Sequence, residues 1–507
     1  MITVILAIII LLLCLYFKYQ FSFWTRHNIE GPPPVPIFGN LHEFILTKKK
    51  HFGEIYNEIY TSYPTARYVG IYKMGMPALL IRDLELIKDI LVTNFNTFNS
   101  NEFAIDADLD PLIAVNPFCV PGDDWKTQRS QLSPLFTQNR TKVAIPFING
   151  VAKKMMEYIE CGPESATMEF DVKELCAKFT TDNVAAVSFG IDGESFTNPN
   201  ASFRKIGDDI FKPTFINGIK QQIVLFIPIM AKILKVPFVS KESDKQFRQI
   251  VQQVIDKREL EKSRNDDLLQ VILDLREKHG RDMYSDTVVC GHSMTFLTEG
   301  YETSSTTMSM TLYELALNPQ IQKRVQLELD QLLTESNGEI TEKVILGAEY
   351  LEQCIMEVVR LHCPVFNLSK FSVREYEFPP QFEGSTKSLK LPGGTNVVIP
   401  VYAIHFDKTY YPNPFKFDPD RFSKENREHI PKYAYLGFGE GPRICLGMKF
   451  GITQVKGGVI SILSKYNVLK HELTDVPFKF SKSTFNLQPE DKVMLKFEKR
   501  KEVIREE

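Results

Sequence analysis

The chain has 507 residues, of which 43% are hydrophobic and 24% charged, an ordinary composition for a folded protein that argues against disorder. Its 60 basic and 63 acidic residues leave a net charge of −3, which gives no reason to expect a nucleic-acid partner. The eight cysteines form no Cys-x-x-Cys pair, which argues against a zinc site and against a secreted disulfide framework.

The N-terminal run Ile2–Phe17 is uncharged and dominated by isoleucine and leucine. Extended past Lys18 to Trp24, it is long enough as a helix to cross a hydrocarbon core of about 30 Å. A cleaved signal peptide is the alternative, but no basic residue precedes the run and no small-residue cleavage site follows it. Because Lys18 and Arg26 come after the run, we expect residues 1–24 to anchor the chain with its bulk on the cytosolic side.

Residues 25–40 are predicted to be a polar, proline-rich hinge, because proline fixes φ and stiffens an extended spacer. Residues 41–507 show mostly helical periodicity and predict one large, mainly α domain with small peripheral β-sheets. Tyr68–Ile81 alternates apolar residues around a Gly-Met-Pro turn, which is typical of a hairpin. Further β-like stretches are Lys387–Leu391, Asn396–Ile399 and Lys492–Phe497.

One internal segment, Ile223–Leu234, is unusually apolar and contains a proline. It is too short to span a bilayer. Two interpretations stay open, a helix of the protein core and a second contact with the membrane.

A glycine-rich loop near the C-terminus runs from Phe438 to Gly447 and has three glycines within nine residues. Glycines let a backbone pass close to a flat or bulky group. Cys445 stands just before a predicted helix, Met448–Leu463, where free N–H groups, the helix dipole and Arg443 are expected to stabilise a thiolate. A thiolate is a metal ligand or a nucleophile, and the lack of a suitable His-Asn set favours the ligand.

The loop sequence F-G-E-G-P-R-I-C-L-G resembles the F-x-x-G-x-R-x-C-x-G haem-binding loop of the cytochrome P-450 superfamily. The resemblance implies that Cys445 is the thiolate ligand of haem b iron and that Arg443 meets a haem propionate. It also implies that Phe438, Gly439 and Gly447 belong to the cofactor-binding loop.

Two further elements resemble motifs of that family. Glu357 and Arg360 match its E-x-x-R helix motif, and Pro419–Phe422 matches its P-E-R-F element, with Arg421 as the arginine. Residues i and i+3 share one face of a helix. Alone such a pair is an ordinary salt bridge, but the resemblance implies a structural triad of Glu357, Arg360 and Arg421 behind the haem.

The resemblance implies three more cofactor-binding side chains. Trp125 and Arg129 match a W-x-x-x-R helix whose two side chains contact haem propionates. Lys370 stands where the family commonly has arginine or histidine. It still offers a cation, without the bidentate fork of a guanidinium group.

Asp286–Asn318 is predicted to be one long helix that ends against a proline. Within it, Glu299–Ser304 resembles the oxygen-activating A-G-x-[D/E]-T-[T/S] motif. The resemblance implies two catalytic residues, Thr303 as the proton-donating hydroxyl and Glu302 as the group that supplies protons from solvent. A glycine and a run of hydroxyl residues predict a locally opened helix here.

The departure in this motif is Glu299, where the family usually has alanine. Three possibilities stay open for a buried carboxyl at this position. Glu299 pairs with a cation of the protein, takes up a proton through a raised pKa, or binds a cationic or hydrogen-bond-donating substrate.

As a whole, the resemblance implies a monooxygenase of the endoplasmic reticulum membrane that oxidises an apolar xenobiotic, steroid, fatty acid or terpenoid. Its electrons would come from NADPH through a separate flavoprotein reductase, with cytochrome b5 as a further partner. The alternatives are a haem-thiolate isomerase or dehydratase, and a non-catalytic haem-binding membrane protein. Alignment places Glu299, Phe366 and Phe485 in the substrate pocket, within the stretches 101–118, 298–303, 365–368 and 484–487.

Overall fold

The computed structural model describes residues 2–103, 105–212 and 214–501, which form eighteen α-helices and ten β-strands. In chain order, helices α1–α18 span Ile2–Phe21, Phe23–His27, Phe52–Ser62, Leu84–Lys88, Asp124–Leu132, Gln138–Cys161, Val172–Phe189, Ser202–Phe211, Phe215–Phe226, Pro228–Leu234, Lys241–Glu261, Leu268–His279, Asp286–Leu317, Pro319–Thr334, Glu342–Gly347, Glu349–Leu361, Val401–His405 and Met448–Leu463. Strands β1–β10 span Tyr68–Lys73, Met76–Ile81, Ser100–Asn101, Glu169–Asp171, Leu368–Phe371, Tyr376–Phe378, Leu389–Leu391, Asn396–Ile399, Tyr466–Lys470 and Met494–Lys499. The mainly α architecture with small sheets is confirmed.

The long central helix α13 organises the helical core. Its 32 residues run from Asp286 to Leu317. The Ser285 side chain caps the start by accepting the Val288 N–H, and Asn318 alone separates the end from Pro319. Helices α7, α16 and α18 pack against it, and their apolar side chains share one large buried cluster. The prediction of one helix from Asp286 to Asn318 is therefore confirmed to within one residue.

The strands form three small sheets at the periphery. A five-stranded sheet has the order β1-β2-β8-β5-β3, a three-stranded sheet the order β4-β10-β9, and β6 pairs with β7. The predicted hairpin is present as β1 and β2, but its turn is made by Met74 and Gly75, both with positive φ. Met76 and Pro77, which we had placed in the turn, already belong to β2.

Helices α1 and α2 form the apolar N-terminus, and Ile2–His27 is long and apolar enough to cross a membrane, with a mean hydropathy of 2.5. The predicted anchor, residues 1–24, and the predicted hinge, residues 25–40, both contact the folded domain. Trp24 is buried, and its Nε1–H donates to the Ile71 carbonyl at 2.8 Å. A Cβ on Gly31 would lie 1.8 Å from the Gly70 oxygen, so the hinge segment is docked on the hairpin.

The apolar segment Ile223–Leu234 forms the end of α9 and the whole of α10. Ile229 and Ile233 on α10 are 70% and 72% exposed, whereas Val224 on α9 is buried. The interpretation as a core helix is therefore wrong for α10, which presents apolar side chains to the outside.

Candidate active site

Helix α13 is accessible on one short face only. From Val289 to Ala316 every residue is buried except Glu299, Gly300 and Thr303. Positions i, i+1 and i+4 lie on one side of a helix. The predicted oxygen-activating motif thus supplies the single accessible face in the buried part of this helix.

Cys445 stands at the end of the glycine-rich loop, close enough to this face for the Glu299 charge to act on its thiol. Its N–H donates to the Phe438 carbonyl at 2.8 Å, and its side chain is accessible. Gly441 has φ +72°, and a Cβ there would lie 2.0 Å from the Leu91 oxygen, so the loop requires glycine at this position. The Glu299 charge raises the pKa of the Cys445 thiol and the Arg129 charge lowers it, which places all three within electrostatic reach.

The pKa of the Cys445 thiol differs from our expectation. Burial among protein atoms raises it to about 11, although the Gly447 N–H stabilises the thiolate. The Gly447 N–H therefore does not outweigh the loss of solvation. A metal ion at the sulfur would favour the thiolate, because a coordinating thiol loses its proton.

Arg443 does not point at the thiol. Its Nη1 and Nη2 donate to the carbonyls of Pro117 and Val120, each at 2.8 Å, and the guanidinium lies 4.6 Å from the Trp125 ring centroid. Burial lowers the pKa of Arg443 to about 9, and the Arg129 charge contributes. The buried Nε atom has no hydrogen-bond partner within the described ranges.

Lys370 and Arg129 extend this positive region. The Lys370 ammonium donates to Asn101 Oδ1 at 2.6 Å, and burial, together with the Arg443 charge, lowers its pKa to about 7. In the part of the chain that the structure describes, Arg129, Lys370 and Arg443 form no ion pair with a carboxylate. Buried cations without a counter-charge are costly. These three, next to an accessible cysteine, fit a haem whose propionates supply the negative charge.

The proposed structural triad comes together, with Glu357 and Arg360 fully buried and the Arg421 side chain 11% exposed. The Arg360 guanidinium donates to both carboxylate oxygens of Glu357 at 2.7 and 2.8 Å. Arg421 Nε lies 3.4 Å from Glu357 Oε1. Burial raises the pKa of Glu357 and the two arginines oppose that rise, so the cluster holds its charge by pairing.

Thr303 lies on the accessible face of α13, but the helix is not opened there. Its hydroxyl donates to the Glu299 carbonyl at 2.9 Å, and α13 runs through the motif without a break. Gly300 instead permits close packing, since a Cβ would lie 3.0 Å from Val184. The Gly300 carbonyl accepts a hydrogen bond from Gln454 Nε2 at 3.0 Å, a contact that sequence reasoning missed.

Glu302 points away from that face and is 2% exposed. Its Oε1 accepts from Lys173 Nζ at 2.6 Å and from Thr306 Oγ1 at 3.2 Å, and Gln488 Nε2 also donates to it. The predicted proton supplier is thus part of a buried ion pair. Its role in proton transfer stays a prediction.

The predicted pocket residues lie in different surroundings. Phe366 is 1% exposed and packs on the His51 ring and on Gly53, so the structure gives it a packing role in the core. Phe485 lines a small cavity and lies edge-to-face against Phe103 with 4.8 Å between ring centroids. Glu299 accepts a hydrogen bond from Asn116, within the predicted stretch 101–118.

The family model described as Cytochrome P-450 matches residues 29–497. The chain belongs to the cytochrome P-450 family. It is 34% identical to cytochrome P-450 6k1 of Blattella germanica, covering 94% of this chain and 93% of the relative. It is 32% identical to the probable cytochrome P-450 6a13 of Drosophila melanogaster, over 96% and 97% of the two chains. It is also 32% identical to cytochrome P-450 6B1 of Papilio polyxenes, over 92% and 93%.

Family membership makes this cytochrome P-450 a haem-dependent monooxygenase with a redox partner and an apolar substrate. The accessible cysteine, the accessible face of α13 and the three cations that lack a carboxylate partner among the described residues agree with such a cofactor. The three relatives are insect enzymes.

Proposed function

We propose that this cytochrome P-450 inserts one oxygen atom from dioxygen into an apolar xenobiotic, steroid, fatty acid or terpenoid. Its electrons come from NADPH through a separate flavoprotein reductase, and cytochrome b5 is a second donor. The observation that carries the proposal is the single accessible face of α13 between Val289 and Ala316, which holds Thr303 and whose Glu299 lies within electrostatic reach of the accessible Cys445.

In this proposal the cofactor is haem b, whose thiolate-bound iron supplies the activation of dioxygen. Cys445 ligates the metal, and the loop glycines let the backbone approach the flat ring. Trp125, Arg129, Lys370 and Arg443 hold the propionates. Between Val289 and Ala316 the rest of α13 is buried in protein.

Proton delivery is assigned to Thr303 and Glu302. The Thr303 hydroxyl is accessible and already donates a hydrogen bond to the Glu299 carbonyl at 2.9 Å, so a rotation about χ1 redirects its proton. Glu302 lies on the neighbouring side of the helix, where its ion pair with Lys173 links it to α7. The two residues serve as donor and supplier of the same proton.

We also propose that the enzyme resides in the endoplasmic reticulum membrane with its catalytic domain on the cytosolic face. The apolar helix α1, followed by Lys18 and Arg26, supports this orientation. The exposed apolar side chains of α10 provide a second membrane contact.

Turnover of the purified holoenzyme, reconstituted with the reductase, NADPH and isotopically labelled dioxygen, tests this function over a panel of the four substrate classes. A product that carries one labelled oxygen atom is the expected result. A rearranged product formed without NADPH identifies an isomerase or dehydratase instead. Failure of all four classes to yield a labelled product contradicts the proposed substrate range.

A further inference from the structure

The carboxyl group of Glu299 occupies the accessible face of α13 without a cation beside it. Its Oε1 accepts a hydrogen bond from Asn116 Nδ2 at 2.9 Å. Within residues 2–103, 105–212 and 214–501, Glu299 forms no ion pair, whereas Glu302 and Glu314 on the same helix pair with Lys173 and His362. Glu299 therefore lacks the compensation that the other carboxyl groups of α13 have.

Asn116 holds this carboxyl in one orientation. It is 3% exposed, and its Oδ1 accepts the Phe118 N–H at 2.8 Å. That bond fixes which end of the amide is the donor, so Nδ2 must point at Glu299. With Oε1 occupied, Oε2 has no hydrogen bond from a described residue and remains available to a ligand.

The surroundings of the carboxyl suit a molecule with an apolar body. The loop that carries Asn116 also carries Phe118, whose ring lies 4.9 Å from that of Phe103. Phe103 in turn packs edge-to-face on Phe485. These three rings cluster next to the loop that carries Asn116, and aromatic faces attract cations as well as apolar groups.

Glu299 is also close to the predicted site of chemistry. It precedes Thr303 by four residues, which places the two about 6 Å apart along the helix axis. The Thr303 hydroxyl bonds to the Glu299 carbonyl, so the backbone that carries the carboxyl also orients the proton donor. A ligand held at Oε2 thus lies beside Thr303.

We propose that Glu299 is a specificity-determining residue that binds a protonated amine of the substrate, with Asn116 as its positioning residue. The inference rests on the proposed monooxygenase function and narrows its substrate class to apolar amines. Desolvation by the surrounding protein raises the pKa of the Glu299 carboxyl and the Asn116 hydrogen bond lowers it, and a cation bound at the carboxylate would lower it further.

Binding of a matched pair of probes to the purified holoenzyme tests the proposal. N,N-Dimethyldodecylamine carries the charge, and its carbon analogue, with CH in place of nitrogen, has the same shape without it. Dissociation constants are measured by equilibrium dialysis for wild type, Glu299→Gln and Asn116→Ala. Glu314→Gln, which alters a paired carboxyl of the same helix, serves as the control.

We expect Glu299→Gln to weaken amine binding by about tenfold or more and to change binding of the carbon analogue by less than about twofold. Asn116→Ala should weaken amine binding to a smaller extent, because it frees the carboxyl without removing its charge. Glu314→Gln should not change the ratio of the two constants. Equal effects of Glu299→Gln on both probes, or no effect on either, overturn the proposal.

Haem content and the spectrum of the ferrous carbonyl complex are recorded for each variant, so that a folding defect is recognised. If Glu299→Gln loses haem, the test uses Glu299→Asp instead, because aspartate keeps the charge. Retained selectivity of Glu299→Asp for the amine over its carbon analogue is then the supporting result. Loss of selectivity in Glu299→Asp with intact haem overturns the proposal. Turnover of neutral substrates by wild type tests the proposed function separately, because it does not depend on the Glu299 charge.

Discussion

The ammonium of Lys173 lies 2.6 Å from the carboxylate of Glu302 and ties α7 to α13 next to Thr303. Both side chains are largely buried, at 12% and 2% exposure. The same ammonium donates to Ser305 Oγ at 2.7 Å, so it bridges two positions of α13. This ion pair holds in place the helix segment that carries the accessible active-site face.

Removing one partner of this pair should destabilise the fold. Lys173→Met leaves the Glu302 charge buried without a cation, and we expect a loss of about 3–5 kcal/mol in the free energy of unfolding. Chemical denaturation of the holoenzyme measures it. The double variant with Glu302→Gln should recover part of the loss, whereas strictly additive losses would show that the two side chains do not depend on each other.

The Thr303 hydroxyl should control coupling, which is the fraction of NADPH oxidation that yields product. Thr303→Ala removes the accessible proton donor of α13, so NADPH oxidation should continue while product falls and hydrogen peroxide rises. Thr303→Ser, which keeps the hydroxyl, should restore most of the coupling. Thr307→Ala is the matched control, because Thr307 makes the same type of bond to the Thr303 carbonyl at 2.9 Å but is buried. Unchanged coupling in Thr303→Ala would assign proton delivery to another group.

The buried ammonium of Lys370 should give the haem-free protein a pH-dependent stability. Its pKa is about 7 in the folded protein and takes the ordinary value of 10.5 on unfolding. Unfolding therefore takes up a proton between about pH 7 and 10.5, and stability rises with pH across that window.

Lys370→Met lacks this group, so the stability difference between wild type and variant should shift in favour of wild type as pH rises from 7 to 10.5. Denaturant titrations of both apoproteins at several pH values measure it. If the free energies of unfolding of wild type and Lys370→Met change in parallel with pH, the Lys370 ammonium is exposed to solvent and not buried. With haem bound the shift should be smaller, because a propionate charge favours the protonated amine.

Membrane association should depend on α10 as well as on α1. Deletion of residues 2–22 retains the buried Trp24 and should leave haem incorporation intact. In this truncated protein, the double variant Ile229→Ser with Ile233→Ser should weaken the residual binding to phospholipid vesicles. Leu260→Ser, at a leucine that is 85% exposed on α11, is the control for loss of an exposed apolar side chain. Equal loss in the control, or a truncated protein that binds no vesicles, contradicts a specific α10 contact.

The parts that the sequence predicted correctly depend on local spacing. Helical periodicity located α13 and α18, and short-range patterns located the triad pair and the cysteine loop. The partners of Glu299 and Glu302 could not be found this way, because Asn116 and Lys173 lie 183 and 129 residues away along the chain. Tertiary packing alone brings them together.

The sequence also misjudged effects that depend on burial. Phe366 was expected in the pocket by alignment, yet packing against the His51 ring encloses it. The start of α18 was expected to lower the pKa of Cys445, yet the density of surrounding protein raises it to about 11. Solvation depends on every neighbouring segment, and local pattern does not contain that information.

The identity of the metal ligand is the central claim, and the absorption spectrum of the ferrous carbonyl complex tests it most directly. Cys445→Ser replaces the sulfur and should abolish the red-shifted Soret band that a thiolate ligand produces. Cys119→Ser is the matched control, since Cys119 also lies near Arg443 but is less accessible than Cys445, and it should keep the band. A Cys445→Ser protein that retains the red-shifted band would contradict the account.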